Sequence, residues 1–437
     1  MQIMPESNQP ALRCTFFLSL LLCLTCAGRL QAQAGNSDTA DLYARWSDRV
    51  LQIQVIEQQS QSKSGIGSGF LAAPGGLVIT NYHVIADLAN HPGDYQARFL
   101  TADGERGSLE LVNVDVVHDL AVLRSHGLDA TPLPISQALP RHGTRLYSMG
   151  FPYDIGLTIV EGIYNGLLEK SLYERMHFTG SINPGMSGGP VLDHEGEVIG
   201  INVATAGNQV GFLVPARFAA SLLQQSGTEA INPDSLHAVI SRQLQDNQAH
   251  ITSRLLKEEL ASTRLRDYRV AGELADWMSC WGDTLQSAND SLKQVYYQCQ
   301  SQDDIYLSSE LNTGVIRFQH DLISADDLNP LRFYRQLQER GHFPQLRLEG
   351  NEETVSRYFC QSGFVQHATL DFKTTFCVRT YRKLEGIYDG YLYLTSLVDN
   401  HEALQSTLVL AGFSWENLLR LNEGFIRSIE WNGTGHE

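Results

Sequence analysis

Between residues 41 and 220 the apolar residues come only in short runs, among them 50–56, 69–72, 77–80, 112–117 and 198–203, each broken by Gly, Pro, Asn or Asp. No run in this stretch is long enough for a long helix. Many short strands at such spacing predict a mainly β, antiparallel architecture, and roughly 180 residues are enough for two small barrels in tandem. The segment 127–143, which carries Pro132, Pro134 and Pro140 among small residues, is the expected crossing between them. After Asn232-Pro233-Asp234 the pattern changes. Leu236, Ile240, Leu244, Ile251 and Leu255 recur at nearly helical spacing, which predicts one long amphipathic helix or two over 234–265. Its stripe is expected to pack on a domain, with a self-association seam as the other reading.

A chain of 437 residues has room for two or three domains at roughly 150 residues each. From residue 275 onward, aromatic and β-branched runs (304–311, 314–319, 376–381, 391–397) alternate with helical ones such as 331–340, as in an α+β domain. The expected division is a signal peptide over 1–34, a β-barrel unit over 40–228, a helical connector over 229–272 and an α+β C-terminal domain over 273–437. The strings Tyr306-Leu307-Ser308-Ser309 and Tyr393-Leu394-Thr395-Ser396 hint at an internal duplication.

Arg13, the apolar run 15–27 and the small-x-small site Ala32-Gln33-Ala34 read as a secretory signal cleaved after Ala34. The apolar run is shorter than the roughly 20 residues a spanning helix needs. An exported protein follows, periplasmic or secreted, with no membrane span after cleavage. Cleavage removes Cys14, Cys23 and Cys26 and leaves Cys280, Cys299, Cys360 and Cys377, none in C-x-x-C spacing. Two disulfides suit an oxidising compartment. Proximity pairs Cys280 with Cys299 and Cys360 with Cys377, one of three connectivities the sequence permits. A net charge of −17 repels phosphate backbones and anionic lipids, so nucleic acid is excluded as a partner.

The sharpest chemical signal is Asn183-Pro184-Gly185-Met186-Ser187-Gly188-Gly189-Pro190, followed by a strand, a turn and a second strand. A serine set among glycines lets the backbone turn tightly and brings amide N–H groups toward one point. The amides of Gly185 and Ser187 are candidate oxyanion donors, and losing one such donor typically costs about 3 kcal/mol of barrier stabilisation. The serine needs a base, and the strand 77–80 delivers His83 just beyond its end. The base needs an orienting acid, for which Asp115 and Asp119 stand at the entrance of the apolar strand 120–123.

These segments resemble the HtrA/Deg family of trypsin-like serine proteases. The resemblance lies in Gly65-Ile66-Gly67-Ser68-Gly69-Phe70, Thr80-Asn81-Tyr82-His83-Val84, Asp119-Leu120-Ala121 and the serine loop, with Gly150-Phe151-Pro152, Gly162-Ile163, Gly200-Ile201-Asn202 and Val214-Pro215 in order between and after them. It covers about residues 45–220. It implies a trypsin-like double β-barrel in which His83 and Asp119 come from the first barrel and Ser187 from the second, and it favours Asp119 over Asp115. Met186 stands where relatives usually carry Asn, and no PDZ signature follows residue 225. Digestive relatives place at this position an Asp that pairs with a freshly cut N-terminus, so no activating cleavage at the start of the barrel is expected.

The pocket wall expected from Ser181, Ile182, Ile201, Asn202, Val203 and Ala204 has no acidic group, which predicts cleavage after small or medium apolar residues of protein or peptide substrates. The same serine loop fits the G-x-S-x-G elbow of α/β-hydrolases. That fold, however, runs serine, acid, histidine, with a helix directly after the serine. His401-Glu402-Ala403-Leu404-Gln405 lacks the second histidine of H-E-x-x-H, and His250, His320, His342 and His367 lack ligand spacing, so neither a metal nor any other cofactor is expected. The leading reading is a serine endopeptidase. The alternative is a protease-fold scaffold, weakly active or inactive, whose C-terminal domain binds a partner protein.

Overall fold

Short strands with one apolar face can close on themselves, and in the computed structural model they do so twice. The structure describes residues 38–433 except 129, 206–209, 228, 286–290, 326, 341–347, 369 and 397–399, so the expected signal peptide and Cys14, Cys23 and Cys26 lie outside the described residues. Helix α1 (Asp38–Trp46) precedes β1 (Val50–Glu57), β2 (Lys63–Ala73), β3 (Leu77–Thr80), the short helix α2 (Ala86–Asn90), β4 (Tyr95–Leu100), β5 (Arg106–Asp115) and β6 (Leu120–Ser125). These six strands close in the order β1-β2-β3-β6-β5-β4. Residues 126–144 cross to the second barrel, near the place the proline-rich segment predicts. There β7 (Arg145–Gly150), β8 (Thr158–Leu167), β9 (Met176–Phe178), β10 (Pro190–Leu192), β11 (Val198–Thr205) and β12 (Gly211–Pro215) close in the order β10-β11-β12-β9-β8-β7, and α3 (Ala216–Gln225) follows.

The barrels share a core. Phe70, Ile79 and Val122 of the first meet Tyr147, Met149, Leu192 and Val214 of the second, with Ala219 and Leu222 of α3 sealing one side. Burial of each large side chain contributes about 1.5–3 kcal/mol. The seam between the barrels is therefore an interior.

Asn232 caps α4 (Pro233–Leu255), accepting the Ser235 N–H at 2.9 Å, with Pro233 in the first turn where its missing N–H costs nothing. Leu236, Ile240 and Leu244 join the core of the first barrel, while Ile251 and Leu255 join a C-terminal core. The stripe is thus covered within the chain. The helix ends earlier than its spacing suggests, which corrects the helical reading of 229–272. Residues beyond it form a hairpin of β13 (Ser262–Leu265) and β14 (Tyr268–Ala271), turning at Arg266 with φ 51°. Alternation decides this segment: Tyr268 and Val270 are buried while Arg269 between them is half-buried.

Seven antiparallel strands then make one sheet in the order β15-β16-β19-β23-β22-β21-β20. They are β15 (Met278–Leu285), β16 (Lys293–Ser301), β19 (Ile316–Ser324), β20 (Phe359–His367), β21 (Leu370–Thr380), β22 (Tyr388–Ser396) and β23 (Glu402–Phe413). Helices α5 (Pro330–Arg340) and α6 (Trp415–Arg427) complete a β-rich unit, and β24 (Glu430–Trp431) pairs with β14. The disulfides Cys280–Cys299 and Cys360–Cys377 each join directly opposed residues, one pair in β15–β16 and the other in β20–β21, at opposite edges of the sheet. Of the two similar strings, Tyr393 lies in β22 while Tyr306 lies in β17 (Ile305–Ser308), which among the described residues pairs with β18 (Leu311–Thr313) alone. They do not occupy equivalent places, so they mark no duplication. Among the described residues no helix is long and apolar enough to cross a membrane.

Candidate active site

Asp119 occupies the turn before β6 with φ 59°, a left-handed conformation that Asp tolerates better than most residues. The turn is held from the facing strand end, where the Tyr82 N–H and the Asn81 Nδ2 both donate to the Asp119 carbonyl at 3.2 and 2.8 Å. Its carboxylate is thereby aimed at His83 through both oxygens. Oδ1 accepts the His83 backbone N–H at 2.9 Å, and Oδ2 stands 2.6 Å from Nδ1. A carboxylate placed so keeps the proton on Nδ1 and leaves the Nε2 lone pair outward. Burial disfavours the imidazolium, but the charge and hydrogen bond of Asp119 outweigh it and hold the pKa of His83 above the ordinary 6.5. Asp115 is engaged elsewhere: it contacts His118 Nδ1 at 2.7 Å, and the His118 ring stacks on Phe218 at 3.8 Å.

Ser187 lies on the loop between β9 and β10. Gly185 has φ 97°, and a Cβ there would lie 2.4 Å from the Phe151 carbonyl oxygen; at Gly188, φ 84°, it would lie 2.2 Å from that of Ser68. Both positions therefore require glycine. Met186 between them is fully buried beside Phe178, Ile182, Val191 and Leu213 and pins the loop to the second barrel. The Ser187 Oγ donates to the Val203 carbonyl at 3.1 Å, and no Ser187–His83 hydrogen bond occurs among those of the described residues. Among the same residues the N–H groups of Gly185 and Ser187 have no protein acceptor.

One contributor escaped the sequence reading. Ser68, fully buried in β2, donates its hydroxyl to the Gly185 carbonyl at 2.7 Å and accepts the Phe151 N–H at 2.9 Å, while its own N–H donates to the Ser187 carbonyl at 2.7 Å. It ties the first barrel to the serine loop and fixes the Gly185–Met186 and Ser187–Gly188 peptides, which flank the peptide carrying the Ser187 N–H. The available signal was a polar residue alone among glycines in Gly65-Ile66-Gly67-Ser68-Gly69.

The expected pocket wall divides. Ser181 is exposed and Val203 half-buried. Ile182 packs with Met186, and Ile201 is wholly buried in the inter-barrel core. Asn202, also wholly buried, accepts from Ser148 Oγ at 2.9 Å and donates to the Met186 carbonyl at 3.2 Å, so its side chain fastens the serine loop from behind. Ile201 and Asn202 are spent on the core and do not face a cleft; the side chain of Ala204 lies outside the described residues. Among the described residues no group of three or more His, Cys, Asp or Glu is placed to hold a metal ion. His320 is buried, bonded to Ser406 Oγ at 2.8 Å and stacked on Phe425.

Two closed barrels, the first presenting a histidine held by a carboxylate and the second a serine set among glycines, define the trypsin-like peptidase class of fold. Residues 67–201 match the family described as "Trypsin-like peptidase domain". The chain is 33% identical over 192 residues to "Protease Do-like 5, chloroplastic" of Arabidopsis thaliana, covering 38% of this chain and 59% of that one. It is 29% identical over 191 residues to "Serine protease HTRA2, mitochondrial" of Bos taurus, covering 40% of each. It is 28% identical over 181 residues to "Probable periplasmic serine endoprotease DegP-like" of Chlamydia pneumoniae, covering 38% of this chain and 36% of that one. This chain carries a trypsin-like peptidase domain similar to those of the HtrA/Deg serine proteases. It spans between about a third and three fifths of the length of these relatives.

Proposed function

We propose that the protein is a serine endopeptidase that hydrolyses peptide bonds in extracytoplasmic proteins through Ser187, His83 and Asp119. The observation that carries the reading is the two-point hold of Asp119 on His83, at 2.9 Å to the backbone N–H and 2.6 Å to Nδ1, which prepares Nε2 as a base. Rotation about the Ser187 side chain exchanges the Val203 carbonyl for that base. The Oγ then attacks the substrate carbonyl carbon while its proton passes to Nε2, and the oxyanion is met by the N–H groups of Gly185 and Ser187. Collapse breaks the C–N bond, the leaving amine takes the proton from His83, and an acyl ester remains on Ser187. Water, passing a proton to His83 Nε2, then attacks the ester carbonyl, and the departing Ser187 Oγ takes that proton back as the acid product leaves. The twin disulfides and the signal-like N-terminus support a periplasmic or secreted setting. Exposed Ser181 and the absence of an acidic wall residue among Ser181, Ile182 and Val203 support small or medium apolar side chains before the scissile bond.

A fluorophosphonate probe tests the reading. The full chain is expected to label covalently and Ser187→Ala not at all; failure of the wild type to label under any condition would favour the scaffold reading. Because Asp119 holds the His83 pKa above 6.5 and only the neutral imidazole is a base, the labelling rate should rise with pH through a midpoint above 6.5. A midpoint at or below that value would remove the role assigned to the Asp119 charge.

A further inference from the structure

The hairpin β17–β18 stands apart from the seven-stranded sheet and turns instead toward the barrels. The Leu307 carbonyl accepts from the Tyr82 hydroxyl at 3.2 Å and from Asn90 Nδ2 at 2.9 Å, residues on either side of His83 in the chain. Ile305, Leu307 and Leu311 are buried in the same cluster as Tyr82, Ile85 and Ala89 of the first barrel. Just before the hairpin, Asp303 reaches the second barrel, accepting the Leu172 N–H at 2.6 Å and the Ser171 hydroxyl at 3.0 Å. The segment therefore bridges both barrels at the histidine. Between its anchors Tyr306 sets its ring against the His83 imidazole, centroids 6.2 Å apart and planes at 82°. Edge-to-face contact is a favoured arrangement of aromatic rings.

We infer that the C-terminal region completes the catalytic centre: Tyr306 is a positioning residue whose ring fixes the plane of His83, so that turnover depends on the docked β17–β18 hairpin. This rests on the peptidase reading. The imidazole is bonded to Asp119 through Nδ1 alone, and one hydrogen bond leaves the ring free to tilt about that contact. A second, apolar surface removes this freedom and keeps Nε2 aimed across the seam. The charged or titratable groups around His83 are Asp119 from the turn before β6, Tyr82 before it in the chain, Asp87 on α2, Tyr306 itself, and Arg175 of the second barrel, which lies within electrostatic reach of both Asp119 and Asp303. Burial, with the nearby charges of Asp87 and Asp119, raises the Tyr306 hydroxyl above its ordinary range, so it stays neutral and acts by shape.

The test measures fluorophosphonate labelling rates against pH for the full chain, Tyr306→Ala and Tyr306→Phe. Losing the ring should slow labelling roughly ten- to a hundredfold, the scale expected when a catalytic group is misplaced. It should also move the rising limb to higher pH, because water reaching the imidazole relieves the burial that disfavours its charge. Tyr306→Phe, which keeps the ring, should restore both the rate and the midpoint. Wild-type rate and midpoint in Tyr306→Ala, or equal losses in both variants at an unchanged melting temperature, overturn the inference. If Tyr306→Ala melts early, Tyr306→Leu, with bulk but no ring, decides between the outcomes. If the wild type does not label, the peptidase reading fails on its own account. The His83 titration, followed by NMR of nitrogen-labelled histidine in wild type and Tyr306→Ala, then still decides the contact by whether its midpoint moves.

Discussion

Replacing Asp119 with Asn is expected to lower kcat about ten-thousandfold while the fold and the substrate affinity stay close to wild type. Both carboxylate oxygens accept hydrogen bonds, from the His83 backbone N–H at 2.9 Å and in line with Nδ1 at 2.6 Å. An amide offers one acceptor and one donor. If its oxygen keeps the backbone N–H, its NH2 faces Nδ1, and the imidazole can comply only by moving its proton to Nε2. A ring protonated on Nε2 cannot receive the Ser187 proton. Asn is as well suited as Asp to the left-handed conformation at position 119, so the turn itself should survive. Turnover of a cleaved peptide, normalised to folded protein, with the melting temperature beside it, checks this. A loss below tenfold at unchanged stability would mean that Asp119 does not orient the base.

The second large effect lies far from the chemistry. Asp389 in β22 is wholly buried and accepts from Arg379 Nε at 2.7 Å, from the Tyr381 hydroxyl at 2.8 Å and from the Gly412 N–H at 3.0 Å. Arg379 is itself 6% exposed, so Asp389→Ala leaves a guanidinium charge in the interior with the Glu349 carbonyl as its remaining hydrogen-bond acceptor. Breaking a buried pair in this way costs about 3–5 kcal/mol. Replacing both partners together, Arg379→Met with Asp389→Leu, should recover part of that loss, because no orphan charge remains. Urea unfolding with the disulfides kept oxidised measures both; a shift under about 1 kcal/mol for Asp389→Ala would show that water reaches the pair. The Tyr381 hydroxyl also bonds Thr313 Oγ1 of β18 at 2.7 Å, so the same network anchors the hairpin that carries Tyr306. Asp389→Ala should therefore slow labelling at Ser187 more than an equally destabilising change at the far edge of the sheet.

Local chemistry made several features legible. Glycines at 185 and 188 announce a backbone that other residues cannot follow, and the short apolar runs announce strands that close into barrels. Each cysteine pair is separated by few enough residues for a single hairpin, 19 and 17, so proximity pairing and strand register coincide. The end of α4 was harder to read. Leu265 extends the helical stripe by spacing, yet it is buried on a strand, because alternation over 262–271 places Tyr268 and Val270 in the C-terminal core.

The residues of this chain, taken in order, determined where it turns, which segments extend, and which serine, histidine and aspartates stand as candidates for the chemistry. They did so because those properties depend on neighbours a few positions away. Tertiary structure alone decided that β23 lies between β19 and β22, that Ser68 holds the serine loop, that Asn202 turns inward, and that Tyr306 meets His83. Each of these joins segments distant in sequence, and each follows from which surfaces remain uncovered once the barrels and the sheet have closed, a property of the whole packed chain.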